Sequence, residues 1–301
     1  MLSKNKFVER TIMRFEMSKR AARRFVPGEK LEDAITAAKE LNEVGIMAGI
    51  DHLGESVEDE VFAGKMADVY IQILEEIVAS GIDSNISVKP TQLGLGISNE
   101  LCRENVERIV KKAAEYGNHV RMDMEDSSFT QKTLDVFKSI RKKYPNLGIV
   151  LQTYLYRTEK DVEDAIENGY SLRLCKGAYN EPSSIAFPKK AQVDQNFTKL
   201  LENLLGERAR KNGVYVGVAT HDDKIIDWTK SFVRENGVGK EEFEFQMLYG
   251  IRSDLQRKIV GEGYQMRAYI PFGTHWYPYY MRRLAERPAN LLFFARSVLG
   301  D

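Results

Sequence analysis

A stretch near the end of the chain combines side chains that could bind an anion. A helical pattern over residues 276–286 carries Tyr279, Arg282, Arg283 and Glu286. Residues four apart lie on the same face of a helix, so Tyr279 adjoins Arg283. Arg282 adjoins Glu286 in the same way. One arc of this helix would therefore present a phenol, two guanidinium groups and a carboxylate, which suits an anionic ligand. A solvated helix with an exposed Arg–Glu pair has the same spacing, so this pattern alone leaves both interpretations open.

Polar side chains also recur where short apolar runs end. Eight such runs, rich in β-branched and aromatic residues, begin at residues 45, 85, 119, 147, 171, 214, 243 and 265. Gly, Pro or Asn bounds each run, as expected for buried parallel strands. The polar residues at or near their ends are Asp51, His52, Lys89, Asp123, Glu125, Gln152, Arg173, Lys176, Thr220, His221, Asp222, Gln246, Arg267 and Tyr269. Each unpaired buried charge is costly, so a purely structural strand would not carry them, and we predict that they form a functional site.

The stretches between the runs are amphipathic and determine the predicted fold. They predict helices over residues 57–79, 100–116, 129–144, 159–168, 191–211, 224–236, 253–262 and 276–286. Eight strand–helix units in about 250 residues predict an α/β fold, the (β/α)8 barrel of the TIM type. The C-terminal ends of all eight strands then form one face, which gathers the polar residues. A doubly wound parallel sheet is the alternative, but no run is followed by the GxGxxG pattern of dinucleotide-binding sheets.

The chain is expected to form a single domain with a helical extension at its start. Residues 1–44 predict a helical segment that packs on the barrel, with a break at Pro27-Gly28 and a helix over 30–41. Residues 45–301 predict the catalytic barrel. A length of 301 residues with 43% hydrophobic residues is sufficient for a core of this size.

Composition excludes several classes of function. Lys and Arg together number 44, as do Asp and Glu, so no net basic field would hold a nucleic acid. The two cysteines are far apart, and the four histidines form no HExxH pattern, so we expect reduced thiols and no metal site. No apolar run approaches ~20 residues, and the N-terminus lacks the apolar region of a signal peptide. We therefore expect a soluble, cytoplasmic protein, although the basic N-terminal segment leaves weak adsorption to an anionic membrane open.

Seven motifs together carry a resemblance to a known family. They are SVKPTQLGL around Lys89, RMDMED around Asp123, LQTYL at Gln152, RLCKGAY from Arg173, ATHD from Ala219, FQMLYG from Phe245, and RAYIPFG followed by YYMRRLAERP. In this order and spacing, along essentially all eight units, they resemble proline dehydrogenase in its short bacterial monofunctional form. The resemblance implies a distorted barrel whose last helix lies over the mouth, where FAD is held. It also implies oxidation of L-proline to Δ1-pyrroline-5-carboxylate, the first step of proline catabolism to glutamate. Electrons would pass to a membrane quinone, which implies peripheral contact with the inner face of the plasma membrane.

The resemblance further implies roles for individual residues. Arg282 and Arg283, with Lys89, would bind the proline carboxylate, while Tyr269 and Leu248 would pack against the ring. Flavin contacts are implied for Gln152, Arg173, Lys176, Gly177, Ala178, Tyr179, Thr220 and His221. The further candidate cofactor contacts are Cys175, Gln246 and Glu286.

Some positions remain open or depart from the family pattern. Asp123 is a candidate to orient the substrate or to take the amine proton, which solvent could also accept. We expect Glu55 to pair with Arg282 as a gate that closes the site. Asn180 stands where larger members of the family often have Trp, and Asp222 stands where others have Asn. We expect neither departure to touch the chemistry.

Two other functions fit the same residues. A barrel aldolase could use Lys89 or Lys176 as a Schiff base, which requires a lysine with a lowered pKa. A barrel that binds a flavin or an amino acid without catalysis is the second possibility. Both remain open from the sequence.

Overall fold

The computed structural model describes residues 22–285 of the 301-residue chain. The eight apolar runs form strands that pair in chain order and close into a parallel barrel. The strands are β1 (Met47–His52), β2 (Ser84–Val88), β3 (Val120–Met122), β4 (Leu147–Gln152), β5 (Ser171–Cys175), β6 (Tyr215–Ala219), β7 (Phe243–Leu248) and β8 (Met266–Phe272). The first and last strands close the barrel in a register that runs from Met47 opposite Arg267 to His52 opposite Phe272. The predicted barrel of the TIM type is confirmed.

Helices alternate with the strands and cover the outside of the barrel. They are α1 (Leu31–Glu43), α2 (Glu60–Ser80), α3 (Asn99–Glu115), α4 (Ser127–Arg141), α5 (Thr158–Glu167), α6 (Lys190–Leu205), α7 (Glu207–Lys211), α8 (Asp223–Glu235), α9 (Ser253–Gly261) and α10 (Trp276–Ala285). A short 3-10 turn, Pro90–Leu93, follows β2. The single helix predicted over 191–211 is wrong, because Gly206 has an extended backbone and separates α6 from α7.

Helix α1 fills a position that a regular barrel gives to its last helix. It packs against β8 and β1 through the buried side chains of Ala34, Ile35, Ala37 and Ala38. In a regular (β/α)8 barrel, the helix after β8 joins the outer ring. Here α10 follows β8 and instead brings side chains to the cavity at the C-terminal ends of the strands. The last helix therefore lies over the mouth, as expected. Residues 1–21 of the predicted N-terminal segment lie outside the described residues, and its division from the barrel at residue 44 stays a prediction.

Helix α10 belongs to a small apolar cluster separate from the main core. Its buried aromatic residues pack with the segment before α1 and with the end of β1. The cluster consists of Ala22, Phe25, Val26, Leu53, Trp276, Tyr277, Tyr279 and Tyr280. The main core lies elsewhere, between the barrel strands and the outer helices. The helix over the mouth thus has an anchor of its own.

The barrel interior below the mouth is polar. Arg121 is fully buried there, and Arg267 forms an ion pair with Glu244 at 2.9 Å between Nε and Oε1. A Cβ atom at Gly148 would collide with the Arg121 guanidinium, and one at Gly217 would collide with the Gln246 amide. Glycine at these two positions therefore makes room for the long polar side chains that fill the barrel.

Several expectations from composition can be compared with the described part of the chain. No helix within residues 22–285 has the length and apolar character needed to cross a membrane. Within the same range, no group of three or more His, Cys, Asp or Glu residues could hold a metal ion. Cys102 and Cys175 are both free thiols, the first buried and the second half-buried.

Candidate active site

The C-terminal ends of the strands open onto a cavity of about 800 Å³. Most of the residues predicted for the site line it. They are Lys89, Asp123, Gln152, Arg173, Cys175, Lys176, Gly177, Ala178, Tyr179, Thr220, His221, Gln246, Leu248, Tyr269, Arg282 and Arg283. Glu55 contacts Arg282 at the rim, and Glu286 lies outside the described residues. This volume is typical of sites for small molecules and cofactors.

Lys89 is the centre of a buried charged cluster at the base of the cavity. Its Nζ lies 3.1 Å from Asp51 Oδ2, 3.1 Å from Asp123 Oδ2 and 3.0 Å from Tyr269 Oη. Burial alone would lower the pKa of this amine, but the neighbouring Asp51, Tyr269 and Asp123 raise it well above its ordinary value. Lys89 therefore stays protonated and presents a fixed positive charge. The contact with Asp51 was not predicted, since that carboxylate could equally have capped a helix.

Asp123 receives hydrogen bonds from three directions. Tyr269 Oη donates to Asp123 Oδ2 at 2.9 Å, and Arg173 Nη1 donates to Oδ1 at 2.8 Å. Burial alone would raise the pKa of this carboxyl, but the charges of Lys89 and Arg173 and the hydrogen bond from Tyr269 lower it below the ordinary value. A carboxylate held ionised in this way is a weak base. Its geometry suits it to orienting its three partners.

Tyr269 forms part of the cavity wall between two cations. The Arg173 Cζ atom lies 5.1 Å from the centre of the phenol ring, and Lys89 Nζ lies 5.7 Å from it. Burial, together with Asp123 and Asp51, raises the pKa of Tyr269 well above 10, so it remains a neutral hydrogen-bond donor. Leu248 is its register partner on β7 and provides an apolar surface beside it.

Arg173 connects the cavity to the polar interior of the barrel. Its Nε donates to Gln246 Oε1, and its Nη2 donates to Ser87 Oγ at 3.1 Å. Gln246 in turn donates to Glu244, which pairs with Arg267. Sequence reasoning missed Ser87 and Glu244 as members of this network. The alternation along β7 could have indicated Glu244, because it lies two residues before Gln246 and so points to the same side of the strand.

Helix α10 contributes the arginines predicted for anion binding. Arg283 is 8% exposed, and its guanidinium carbon lies 5.2 Å from the centre of the Tyr279 ring, as their spacing predicts. Arg282 Nη2 forms an ion pair with Glu55 Oε1 at 2.8 Å, as expected. Tyr279 also lines the cavity, in keeping with its place on the predicted anion-binding arc.

Lys176 lies at the opposite side of the cavity between two carboxylates. Its Nζ is 2.8 Å from Asp222 Oδ2 and 2.6 Å from Asp194 Oδ1. Burial would raise the pKa of Asp222, but Lys176 and Lys190 lower it to about 2. Asp222 thus lines the cavity and pairs directly with Lys176, one of the predicted cofactor contacts. The expectation that this departure from the family pattern does not touch the chemistry stays a prediction.

Gln152 and the turn after β5 offer backbone and side-chain groups to a ligand. Gln152 Nε2 donates to Met124 O at 3.3 Å, while its buried Oε1 has no hydrogen-bond partner among the described residues. Gly177 has a φ of 110° and lies against the Tyr154 ring, where a Cβ would collide. His221 Nε2 accepts a hydrogen bond from Leu248 N at 3.0 Å. Gln152, Gly177 and His221 all line the cavity, and Gln152 keeps one acceptor without a partner among the described residues.

Glu125 also lines the cavity, and its buried carboxyl should make the stability of the protein depend on pH. Burial raises the pKa of this carboxyl from 4.5 to about 7, although hydrogen bonds from Thr91 oppose the shift. Between these values the unfolded chain has lost a proton that the folded chain keeps, so stability falls as the pH rises. At about 1.4 kcal/mol per pKa unit, the loss is about 3 kcal/mol.

Replacing Glu125 by Gln should remove that loss. The difference in free energy of unfolding between Glu125→Gln and the unchanged protein should rise by about 3 kcal/mol, in favour of the variant, from pH 4.5 to pH 8. Guanidinium denaturation at a series of pH values measures this difference. A hydrogen bond weakened by the substitution lowers the free energy of unfolding by the same amount at every pH. It therefore does not affect the change expected between pH 4.5 and pH 8. A difference that stays constant across the range would contradict the prediction.

Comparisons with known proteins agree with the fold. Residues 34–296 match the family model for proline dehydrogenase. The chain is 44% identical over 292 residues to proline dehydrogenase 2 of Bacillus subtilis (strain 168), covering 97% of this chain and 94% of that protein. It is 42% identical over 283 residues to proline dehydrogenase of Deinococcus radiodurans, covering 92% and 90% respectively. A solved structure of proline utilization A from Bdellovibrio bacteriovorus, inactivated by N-propargylglycine, superposes with a TM-score of 0.83 at 25% identity. The match covers 89% of this chain and 33% of that one.

Proposed function

The chain belongs to the proline dehydrogenase family, and from that premise we propose that it oxidises L-proline to Δ1-pyrroline-5-carboxylate with FAD as the bound electron acceptor. This reaction is the first step of proline catabolism. The observation that carries the proposal is the protonated Lys89, held by two carboxylates below a cavity onto which Arg282 and Arg283 also open. Three cations directed at one apolar-walled space suit a small amino acid with a carboxylate.

The substrate carboxylate is bound by these three cations. Each charge-assisted hydrogen bond to it contributes about 1.5–3 kcal/mol. Arg282 and Arg283 approach from α10, and Lys89 approaches from the end of β2. The remaining ring of proline is apolar and packs between Tyr269 and Leu248, from which it excludes water. Contacts with Asp51, Asp123 and Tyr269 hold Lys89 in place before substrate binds. Its side chain therefore loses little conformational entropy on binding.

The residues around the rest of the cavity fit a flavin. A cavity of about 800 Å³ is much larger than proline requires. A flavin ring carries an imide N–H between two carbonyl oxygens. Gln152, whose Oε1 has no partner among the described residues, and the Arg173 guanidinium both line the cavity and would supply an acceptor and donors for that pattern. The turn from Lys176 to Tyr179 lines the cavity, and Lys176 supplies a positive charge for a dinucleotide.

The remaining predicted contacts complete the binding surface for FAD. Thr220 and His221 lie at the end of β6, where they would hold the adenosine part. Cys175 and Gln246 line the cavity between them and Arg173. Glu286 remains a predicted contact and lies outside the described residues.

The chain's own residues prepare the substrate for oxidation. When bound, FAD accepts two electrons as a hydride from the ring carbon next to nitrogen. The amine must be unprotonated for this, because its lone pair stabilises the developing iminium. Asp123 is a poor acceptor for that proton, since its carboxyl has a lowered pKa, and it orients Lys89, Tyr269 and Arg173 instead. Arg173 places a positive charge where negative charge develops during the reaction.

The same contacts disfavour the alternative functions. A Schiff-base aldolase needs a neutral lysine amine, whereas the pKa of Lys89 is raised by the groups around it. Lys176 is already engaged by two carboxylates, Asp194 and Asp222, rather than directed free into the cavity as a nucleophile. A barrel that only binds its ligand would have no use for a complete set of cations and orienting groups.

The gate and the electron acceptor are proposed on different grounds. Glu55 and Arg282 join the loop after β1 to α10 across the cavity rim, so the ion pair can close the site over bound substrate. Transfer of electrons to a membrane quinone follows from the family resemblance. It would place this cytoplasmic protein peripherally at the inner face of the plasma membrane.

The colour of the purified protein tests the proposal. We expect a yellow preparation whose flavin absorbance near 450 nm is bleached anaerobically by L-proline and unchanged by L-alanine, which lacks the ring. FAD uptake without bleaching by proline would contradict the substrate. A colourless protein that is trapped by borohydride with a carbonyl compound would favour the aldolase.

A further inference from the structure

The loop that carries Glu55 rests on the 3-10 turn after β2. Ser56 N donates to Thr91 Oγ1 at 3.0 Å, and Val57 N donates to Thr91 O at 3.1 Å. On the other side of Glu55, Gly54 lies so close to Gln92 that a Cβ would collide with its amide. The backbone is therefore hydrogen-bonded to this turn after Glu55 and packs closely against it before Glu55.

Thr91 is itself held by Glu125. Thr91 N donates to Glu125 Oε2 at 2.8 Å, and Thr91 Oγ1 donates to Oε1 at 2.6 Å. Since the hydroxyl has one hydrogen, donating it to Glu125 turns a lone pair toward Ser56 N. Thr91 is 2% exposed and Glu125 is 5% exposed, so water does not compete readily for these bonds. Glu125, Thr91 and Ser56 thus form one continuous buried chain of hydrogen bonds.

The conformation of Ser56 requires such support. Its φ is 56°, in the left-handed region that non-glycine residues rarely adopt. A backbone in this region persists only where its surroundings hold it. The hydrogen bonds from Ser56 and Val57 to Thr91 provide that hold, and Glu55, one residue earlier, reaches Arg282 at 2.8 Å.

We propose that Thr91 and Glu125 are positioning residues for the Glu55–Arg282 ion pair, holding the loop after β1 in the conformation that lets Glu55 reach α10. They act on substrate retention through the loop and need not touch the substrate. The inference rests on the proposed function only in that the ion pair closes over proline. The fixed position of the loop is a property of the free protein.

Thr91→Val tests this role because it keeps the side-chain shape and the N–H bonded to Glu125 while removing the hydroxyl. The substitution removes both hydrogen bonds of the hydroxyl, of which only the one from Ser56 N holds the loop directly. The KM for L-proline should therefore rise roughly fivefold to tenfold, the effect of that one bond on the loop, while kcat stays within about twofold. Thr91→Ser should restore the original KM. Amide hydrogen exchange in residues 54–58 should become roughly tenfold faster. Thr229→Val, which removes a buried hydroxyl from α8 far from the cavity, is the matched control and should change neither quantity.

A double-mutant cycle with Glu55→Ala decides the mechanism. If Thr91 acts through the ion pair, Thr91→Val should add less than twofold to the KM of the Glu55→Ala variant. An equal increase in both backgrounds, or a Glu55→Ala variant with unchanged KM, overturns the proposal. Should Thr91→Val fail to fold, Glu125→Gln replaces it in the same cycle with the same expected pattern.

Hydrogen exchange separates this inference from the proposed function. Faster exchange in Thr91→Val, in a protein that does not oxidise proline, would reject the function and leave the support of the loop intact. Unchanged exchange, in a protein that oxidises proline, would reject the positioning role alone.

Discussion

Replacing Arg283 by Met should raise the KM for L-proline about 100-fold and leave the flavin content near normal. The methionine removes a guanidinium that is nearly buried against the Tyr279 ring and opens onto the cavity. Loss of charge-assisted bonds to the substrate carboxylate costs about 3 kcal/mol, which corresponds to roughly a 100-fold change in affinity. Steady-state kinetics with L-proline and the ratio of flavin to protein absorbance measure the two quantities.

Two further variants sharpen this result. Arg283→Lys should also impair binding strongly, because an ammonium cannot reproduce the planar fork of a guanidinium. Arg103→Met removes a half-buried arginine on α3, outside the cavity, that pairs only with Glu100 and Glu107 among the described residues, and it should leave KM unchanged. If Arg283→Met loses flavin while retaining its affinity for proline, α10 serves the cofactor, and its assignment to the substrate is wrong.

Replacing Lys89 by Met should lower the free energy of unfolding by about 3–5 kcal/mol. The substitution preserves most of the side-chain volume but leaves Asp51, which is 0% exposed, and Asp123 without the cation they share. A buried charge whose partner is removed cannot recover its hydration, which makes the loss larger than for a surface pair. Guanidinium denaturation at pH 7 measures the change.

A second substitution distinguishes charge from packing. Lys89→Met combined with Asp51→Asn should regain part of the lost stability, because one uncompensated carboxylate is gone, yet proline binding should remain impaired. Lys190→Met removes an exposed ammonium and should change the free energy of unfolding by less than about 1 kcal/mol. A nearly neutral effect of Lys89→Met would mean that the cluster at the base of the cavity is not charged.

The fold could be predicted from the sequence because buried parallel strands consist of continuous runs of apolar residues. In the stretch around Leu147–Gln152, for example, a run of apolar residues ends in one polar residue that opens onto the cavity. The break between α6 and α7 was not accessible, since a single glycine within a helical pattern does not by itself end a helix. Gly206 became decisive only through its extended backbone.

The composition of the site was predictable, but its pairing was not. Polar residues at strand ends must meet in a closed barrel, so Lys89, Asp123 and Tyr269 could be grouped without coordinates. Which of them touch depends on the closure of β8 against β1, which joins residues about 220 positions apart in sequence. The contacts of Tyr269 with Lys89 and Asp123 bring together residues of distant strands in this way. The contacts of Asp51 with Lys89 and of Asp222 with Lys176 join neighbouring strands, but which of the polar side chains there would pair was not written in the pattern.

Helix α1 takes the place on the outer ring that the last helix has in a regular barrel, and α10 lies over the mouth instead. Covering the last strand and closing the cavity are thereby done by two different helices. Because α1 seals the seam between the first and last strands, α10 can shift over the mouth without exposing the apolar faces of β1 and β8 to water. Helix α10 is anchored by the small apolar cluster that it shares with Ala22, Phe25 and Val26. A change in the position of α10 therefore need not disturb the main core. Sequence changes on the face of α10 that meets the ligand can therefore alter which small acids are retained while the barrel keeps its stability.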